Sequence, residues 1–231
     1  MSSIMEEMSN LNPWFASINE ETRSFICENA RLIHVGKGEA LFRSGETIPY
    51  VAMIRTGALW AERASPEGRN YVQAVMGPGF FGHFEWVFGN SKSRYDVRAV
   101  VDTEVFVIPA PVIKEALNTS RQFTDKYMEL MATSHSLLEE YSFVISVYDK
   151  TQRLAWILSM IADGHRGLSH RIINIPVTQL QIAENMGLTR QTINKSMQYL
   201  AEQGIVQIGK SNVTILDVER LKDICHFDTL N

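Results

Sequence analysis

The stretch Val177-Thr-Gln-Leu-Gln-Ile-Ala-Glu-Asn-Met-Gly-Leu-Thr-Arg-Gln-Thr-Ile-Asn-Lys-Ser-Met-Gln-Tyr-Leu-Ala-Glu-Gln-Gly204 decides how the rest of the chain is read. Residues 178–185 read as a short helix that places Leu180, Ile182 and Ala183 for packing, the small Ala183 admitting a second helix at close range. Gly187 stands where the chain must turn, a position that can require a positive φ, and Thr189 caps a second helix. At ~100° per residue, Gln191, Asn194, Lys195 and Gln198 share one side of that helix, while Ile193, Met197 and Leu200 share another. One face is polar and the other is core, which is the grammar of a helix-turn-helix.

Arg190 borders the polar face in the first turn, where a recognition helix enters the major groove. Arg can take guanine O6 and N7 together, Gln or Asn can take adenine N6 and N7, and Lys can reach guanine or phosphate. Arg190, Gln191, Asn194 and Lys195 are therefore the candidate base-reading set, and the hydroxyls of Thr178, Thr189 and Thr192 suit phosphate oxygens. A generic helical hairpin with a solvated polar face would show the same two-helix pattern, but the segment after Gly204 favours the DNA-contacting reading. Residues 205–216 alternate as two strands around Gly209-Lys-Ser-Asn212, a hairpin that carries Lys210 at its tip as a further phosphate contact. A last helix opened by Asp217 closes this winged domain.

Charge agrees with that placement. The 231-residue chain has a formal charge of −4, yet residues 150–231 hold nine basic and seven acidic side chains, so a polyanion partner belongs at the C-terminal end. With 45% apolar residues and 21% charged, the chain reads as globular. The longest run free of Asp, Glu, Lys and Arg, residues 70–84, contains Pro78 and three glycines, too short and broken for a span of ~20 apolar residues. No membrane association is expected, and a start with two acidic and no basic residues in its first ten predicts a cytoplasmic location. Cys27 and Cys225, far apart and outside any CxxC, read as ordinary reduced thiols.

Upstream, glycine recurs between residues 36 and 89 and separates short runs rich in Val, Tyr, Phe and Ile: 50–54, 58–61, 71–76, 97–101 and 104–108. These read as strands of a jelly roll or barrel. Residues 120–148 contain neither Pro nor Gly and read as one helix of ~43 Å. Its apolar positions Tyr127, Leu130, Met131, Leu137, Leu138, Tyr141 and Ile145 step by three and four. That stripe either packs on the barrel or is the self-pairing seam of a homodimer, and its persistence over about four heptads favours the seam. Asp149 caps the next helix, so residues 148–150 read as a hinge. The chain divides into a β-roll at 1–118, a dimerisation helix and hinge at 119–149, and a winged helix-turn-helix at 150–231. The fold class is α+β.

In this order of parts the chain resembles the cyclic-AMP receptor protein/fumarate-nitrate regulator (Crp/Fnr) superfamily of bacterial transcription factors. The resemblance covers residues 12–226 and rests on Gly36-Lys-Gly-Glu-Ala-Leu-Phe-Arg-Ser-Gly45, Ile54-Arg-Thr-Gly-Ala-Leu59, Gly77-Pro-Gly-Phe-Phe-Gly82, the long helix with Asp149, and the winged helix-turn-helix. It implies a cyclic-nucleotide-binding-like sensor roll, a dimerising central helix, and a DNA-binding domain that reads double-stranded palindromic promoter sites. Arg190 falls at the family's guanine-reading Arg, Gln191 where many members have Glu, and Lys195 where many have a second Arg. Gln191 offers a donor that a carboxylate lacks, so the half-site is expected to differ from that of the receptor protein.

The sensor departs further. The family's nucleotide cassette needs Phe-Gly-Glu and, ten residues on, Arg-Ser; this chain has Phe81-Gly-His-Phe-Glu85, and alignment puts Ser93 at the Arg and Arg94 at the Ser. The adenine-contacting positions of the central helix become Leu138 and Glu139. Cyclic AMP is not the expected effector. His83, Glu85, Ser93, Arg94, Tyr95 and Leu138 are the candidate pocket, where Arg beside an aromatic would suit a small anion, unless those charges are merely solvated loop residues. No cysteine group stands near the N-terminus for an iron–sulfur cluster, and His34, His83 and His135 are isolated, the pattern of ordinary polar residues rather than haem ligands. No cofactor, bound metal or catalytic residue is expected, and the effector is left open. A cupin-type metalloenzyme is the rival from another class, but only His83 and Glu85 stand close together where such a site needs a cluster of ligands. A cyclic-nucleotide module acting on a protein partner is the other alternative. The resemblance also makes RNA polymerase a candidate partner, through loops such as 164–169.

Overall fold

The computed structural model describes residues 2–64, 70–82, 85–88, 92–164 and 173–225. Three helices, α1 (Ser2–Leu11), α2 (Pro13–Ala16) and α3 (Glu20–Glu28), precede β1 (Arg31–Val35), β2 (Ala40–Phe42), β3 (Tyr50–Thr56), β4 (Leu59–Ala64), β5 (Asn70–Met76) and β6 (Phe81–Gly82). The short α4 (Glu85–Phe88), β7 (Asp96–Ala99), β8 (Thr103–Pro109) and α5 (Ala110–Thr119) lead to the long α6 (Arg121–Val147). The remainder is α7 (Lys150–Gly164), β9 (Ile173–Ile175), α8 (Gln179–Met186), α9 (Arg190–Glu202), β10 (Val206–Ile208), β11 (Val213–Ile215) and α10 (Val218–Cys225). The expected α+β architecture is what these elements build.

The strands form two four-stranded sheets, ordered β1-β8-β3-β6 and β2-β7-β4-β5, and a three-stranded sheet β10-β11-β9. β3 is flanked by both β8 and β6, and its residues Val51 to Ile54 are all buried, so it reads as a continuous apolar run rather than an alternation. The turn after it needs Gly57, whose φ is +87° and where a Cβ would lie 2.6 Å from the Asp102 carbonyl oxygen. Beside it the fully buried Thr103 hydroxyl accepts the Ala58 N–H at 3.1 Å and lies 2.7 Å from the Val101 carbonyl oxygen.

Two compact units emerge, one of residues 1–61 with 76–136 and one of 62–75 with 137–231. The division cuts the segment 119–149 between Ser136 and Leu137, because a helix of this length can bury one end in each unit. In the first unit Phe123 and Tyr127 of α6 join a core with Met8, Phe15, Met53 and Phe106, and Leu130 and Met131 pack partly against it. In the second unit Val144 is 1% exposed and Tyr141 packs on Trp156 of α7, ring centroids 5.8 Å apart. The N-terminal α1 is part of the first core: Met8 is fully buried, and Arg55 on β3 donates to Glu7 of α1 and, at 2.8 Å, to Glu104 on β8.

Candidate nucleic-acid interface

The turn between α8 and α9 is built from both sides. Thr178 and Gln181 form a capping box: the Thr178 side chain accepts the Gln181 N–H, and the Gln181 side-chain oxygen accepts the Thr178 N–H at 2.7 Å. α8 ends at Gly187 with φ 62°, and Leu188 N–H reaches back to the Ala183 carbonyl at 2.8 Å, the Schellman closure that only a residue at ease in the left-handed region gives without strain. Two residues on, Thr189 caps α9 by accepting the Thr192 N–H at 3.2 Å. The chain is thereby turned within three residues, and α9 begins with its positive dipole end at Arg190.

α9 is sorted by face as its spacing requires. Ile193, Ser196, Met197 and Leu200 are buried. Arg190, Gln191, Lys195 and Gln198 are exposed and Asn194 is half-exposed, so the four candidate base-reading side chains lie together on the open side of the helix. The phosphate candidates divide. Thr189 and Thr192 have their hydroxyls 2.9 Å apart at the exposed start of α9, whereas the Thr178 hydroxyl donates to Gln181 Oε1 at 2.7 Å and serves the cap. Lys210 is exposed in the turn between β10 and β11, which closes through Gly209 N–H to the Asn212 carbonyl at 2.9 Å. The wing has a third strand, β9, paired antiparallel with β11. Its signal was the alternation Ile173-Asn-Ile175 ahead of Pro176. Of the three α8 residues expected to pack, Ile182 and Ala183 are buried but Leu180 is not: it is 49% exposed, because at ~100° per residue it stands about 160° round the helix from Ile182. Tyr199 on α9 is exposed to the same extent.

The stripe on α6 separates into two behaviours. Tyr127 is 5% exposed and meets Phe88 edge-on, and Leu130 and Met131, partly buried, pack on the same core. Leu137 is half-buried, while Leu138, Tyr141 and Ile145 remain exposed, Leu138 at 68%. Met128, Phe143 and Val147, outside the expected stripe, are exposed as well.

The sensor candidates are described in part. His83 and the side chain of Glu85 lie outside the described residues. Ser93 is 3% exposed and closed on its own loop: its hydroxyl donates to the Tyr95 carbonyl at 2.6 Å and accepts the Tyr95 N–H at 3.1 Å. Arg94 is exposed and Tyr95 half-buried; Leu138 belongs to the second unit. Arg98 donates to Asp96 at 2.8 Å. The Ser44 N–H bonded to Asp96, and then Arg98, hold that carboxyl below the usual aspartate range against the opposing effect of burial. Among the described residues no three His, Cys, Asp or Glu side chains group to hold a metal ion, and no helix is long and apolar enough to cross a membrane. Burial pushes the Cys27 thiol up to about 11, so it carries almost no thiolate at neutral pH.

Residues 152–224 match the Crp-like helix-turn-helix domain family, and residues 32–120 match the cyclic nucleotide-binding domain family. The chain belongs to the Crp/Fnr superfamily. This Crp/Fnr chain is 23% identical over 189 residues to electron transport regulator A of Shewanella oneidensis, across 81% of the chain and 75% of that protein. It is 22% identical over 191 residues to the transcriptional activator protein FnrL of Cereibacter sphaeroides, across 80% of the chain and 76% of that protein. In fold it is similar to FixK2 of Bradyrhizobium japonicum, with a TM-score of 0.71 and 22% identity over 84% of the chain and 96% of that one. It is thus a transcription regulator of the Crp/Fnr type, with a β-roll domain, a long central helix and a winged helix-turn-helix.

Proposed function

We propose that two copies of this Crp/Fnr regulator pair along the C-terminal half of α6 and present their α9 helices to successive major grooves of a palindromic site, about 34 Å apart. The observation that carries this reading is the sorting of α9: Arg190, Gln191 and Lys195 exposed with Asn194 beside them, over a buried flank of Ile193, Met197 and Leu200. Arg190 reads guanine, Gln191 and Asn194 offer paired donor and acceptor to adenine, and Lys195 reaches guanine or phosphate. Thr189, Thr192 and Lys210 fix the register through phosphates. Leu138, Tyr141 and Ile145, spaced by three and four and left exposed by their own chain, support the pairing.

A signal at the roll shifts how the two α6 helices pair, and the hinge at Asp149 passes the change to the DNA-binding domains. The effector is a small molecule other than cyclic AMP. Supporting this, the position of the family's phosphate-binding Arg is occupied by Ser93, whose hydroxyl is already engaged by Tyr95. The chain acts by binding, without a catalytic step or a resident cofactor, in the cytoplasm and with RNA polymerase as a further partner. The expected polymerase loop at 164–169 falls, from 165 on, outside the described residues.

Selection of bound duplexes from a random pool, with and without cell metabolites, tests the reading alongside sedimentation velocity of the free protein. An inverted repeat with half-sites one helical turn apart, bound by a dimer, is expected. Absence of any enriched motif, or a protein that stays monomeric when bound, overturns it.

A further inference from the structure

One polar contact joins the hinge-proximal turn to the reading helix and takes no part in meeting DNA. α7 starts immediately after Asp149, whose carboxylate accepts the N–H groups of Thr151 at 2.7 Å and Gln152 at 2.9 Å, while Gln152 Oε1 accepts the Asp149 N–H at 3.1 Å. This reciprocal cap fixes the first turn of α7. From that turn the Thr151 hydroxyl lies 2.9 Å from the hydroxyl of Ser196, halfway along α9. Ser196 is 6% exposed, on the buried flank of α9 and about 160° round the helix from Asn194.

Around this contact the packing is directionless. Among the described residues, the buried side chains of α7 and α9 are apolar except for Ser196 and Ser159, and the Ser159 hydroxyl bonds within its own helix to the Ala155 carbonyl. Apolar burial holds two helices together but tolerates small changes of angle, whereas a hydroxyl pair is satisfied only within a narrow range of distance and direction. Arg190 stands six residues before Ser196, a lever of about 9 Å. A tilt of roughly 10° about the anchor would move it by about 1.5 Å, enough to break a bidentate contact with a guanine edge.

We infer that the Thr151–Ser196 hydroxyl pair is a positioning device for base readout, setting the angle at which α9 meets DNA and hence the preference for the correct site over other sequences. The inference rests on α9 being the DNA-reading helix. It makes the pair the rigid link by which a tilt of α7 at Asp149 becomes a tilt of the readers.

The test uses the full-length protein with Thr151→Val, Ser196→Ala, the double variant and Thr151→Ser, each measured for affinity to the selected site, affinity to random DNA, and thermal midpoint. Thr151→Val and Ser196→Ala should each lower the ratio of specific to random affinity about 3- to 10-fold, with random-DNA affinity unchanged. The double variant should be no worse than the weaker single one, because both remove the same bond. Thr151→Ser, which keeps the hydroxyl, should hold the wild-type ratio. The inference is overturned if the ratio stays within twofold of wild type in both single variants, or if specific and random affinity fall together with the thermal midpoint. A wild-type protein with no site preference would instead sink the reading of α9 itself, an outcome distinguishable from the first two.

Discussion

The reading helix and the sensor cassette treat polar side chains in opposite ways. On α9, Arg190, Gln191 and Lys195 stand exposed above a buried apolar flank, so their donors and acceptors face outward. In the loop before β7 Ser93 closes on Tyr95, and on β7 itself Asp96 accepts from the Ser44 N–H and holds Arg98. A helix leaves its side chains outside its own hydrogen-bond ladder, whereas an irregular loop must satisfy its backbone groups with whatever side chains are near. Polar residues are therefore a clearer sign of binding on a helix face than in such a loop.

The largest effect that would sharpen this contrast is expected in the roll. Gly57→Ala should destabilise it by about 2–4 kcal/mol, from a positive φ and a Cβ set against the Asp102 carbonyl. Chemical denaturation would register this while the fold of the winged unit, followed by its own probes, stays intact; a loss below ~0.5 kcal/mol would show that the turn relaxes. Next, Arg190→Ala should cost about 1–3 kcal/mol at the selected site and flatten its base preference, measured by fluorescence anisotropy against a panel of substituted half-sites. Equal losses on operator and random duplex would remove Arg190 from the base-reading set. Lys210→Ala should weaken binding evenly across sequences and reduce the salt slope by about 1, a result that sequence-dependent losses would contradict.

The smallest effect concerns the cassette loop. Because the Asp96 carboxyl is held below its ordinary value, its contribution to stability is present above about pH 4 and fades as the pH falls through the depressed value. Asp96→Asn should lower the thermal midpoint at neutral pH by no more than ~2–4 °C, with the difference closing in acid. A gap that widens in acid would break the assignment.

Much of this architecture was legible because its signals are local. Gly187 as a left-handed stop, Thr189 as a cap, and the three-and-four spacing of Ile193, Met197 and Leu200 each determine their own few residues. The α6 stripe was legible only as a stripe. Tyr127 and Ile145 lie on nearly the same side of the helix, yet one is buried and the other exposed, and that difference depends on which unit each end of α6 packs into, a long-range fact that periodicity does not carry. α1 was not read from the sequence: Ile4, Met8 and Leu11 are spaced by four and three, but one short stripe does not say what it packs on, and its tie to the roll runs through Arg55 and Glu104, far along the chain. The Thr151–Ser196 contact was illegible for the same reason, since two hydroxyls 45 residues apart have no pattern to announce them.

Both thiols are closed off, Cys27 against Met8 and Cys225 against the carbonyls of Leu221 and Lys222. Two copies meeting along their central helices would thus have no sulfur available for a stray covalent link. An association constant measured in air, without reductant, should report non-covalent packing alone, and the same sample run under reducing conditions should return the same value.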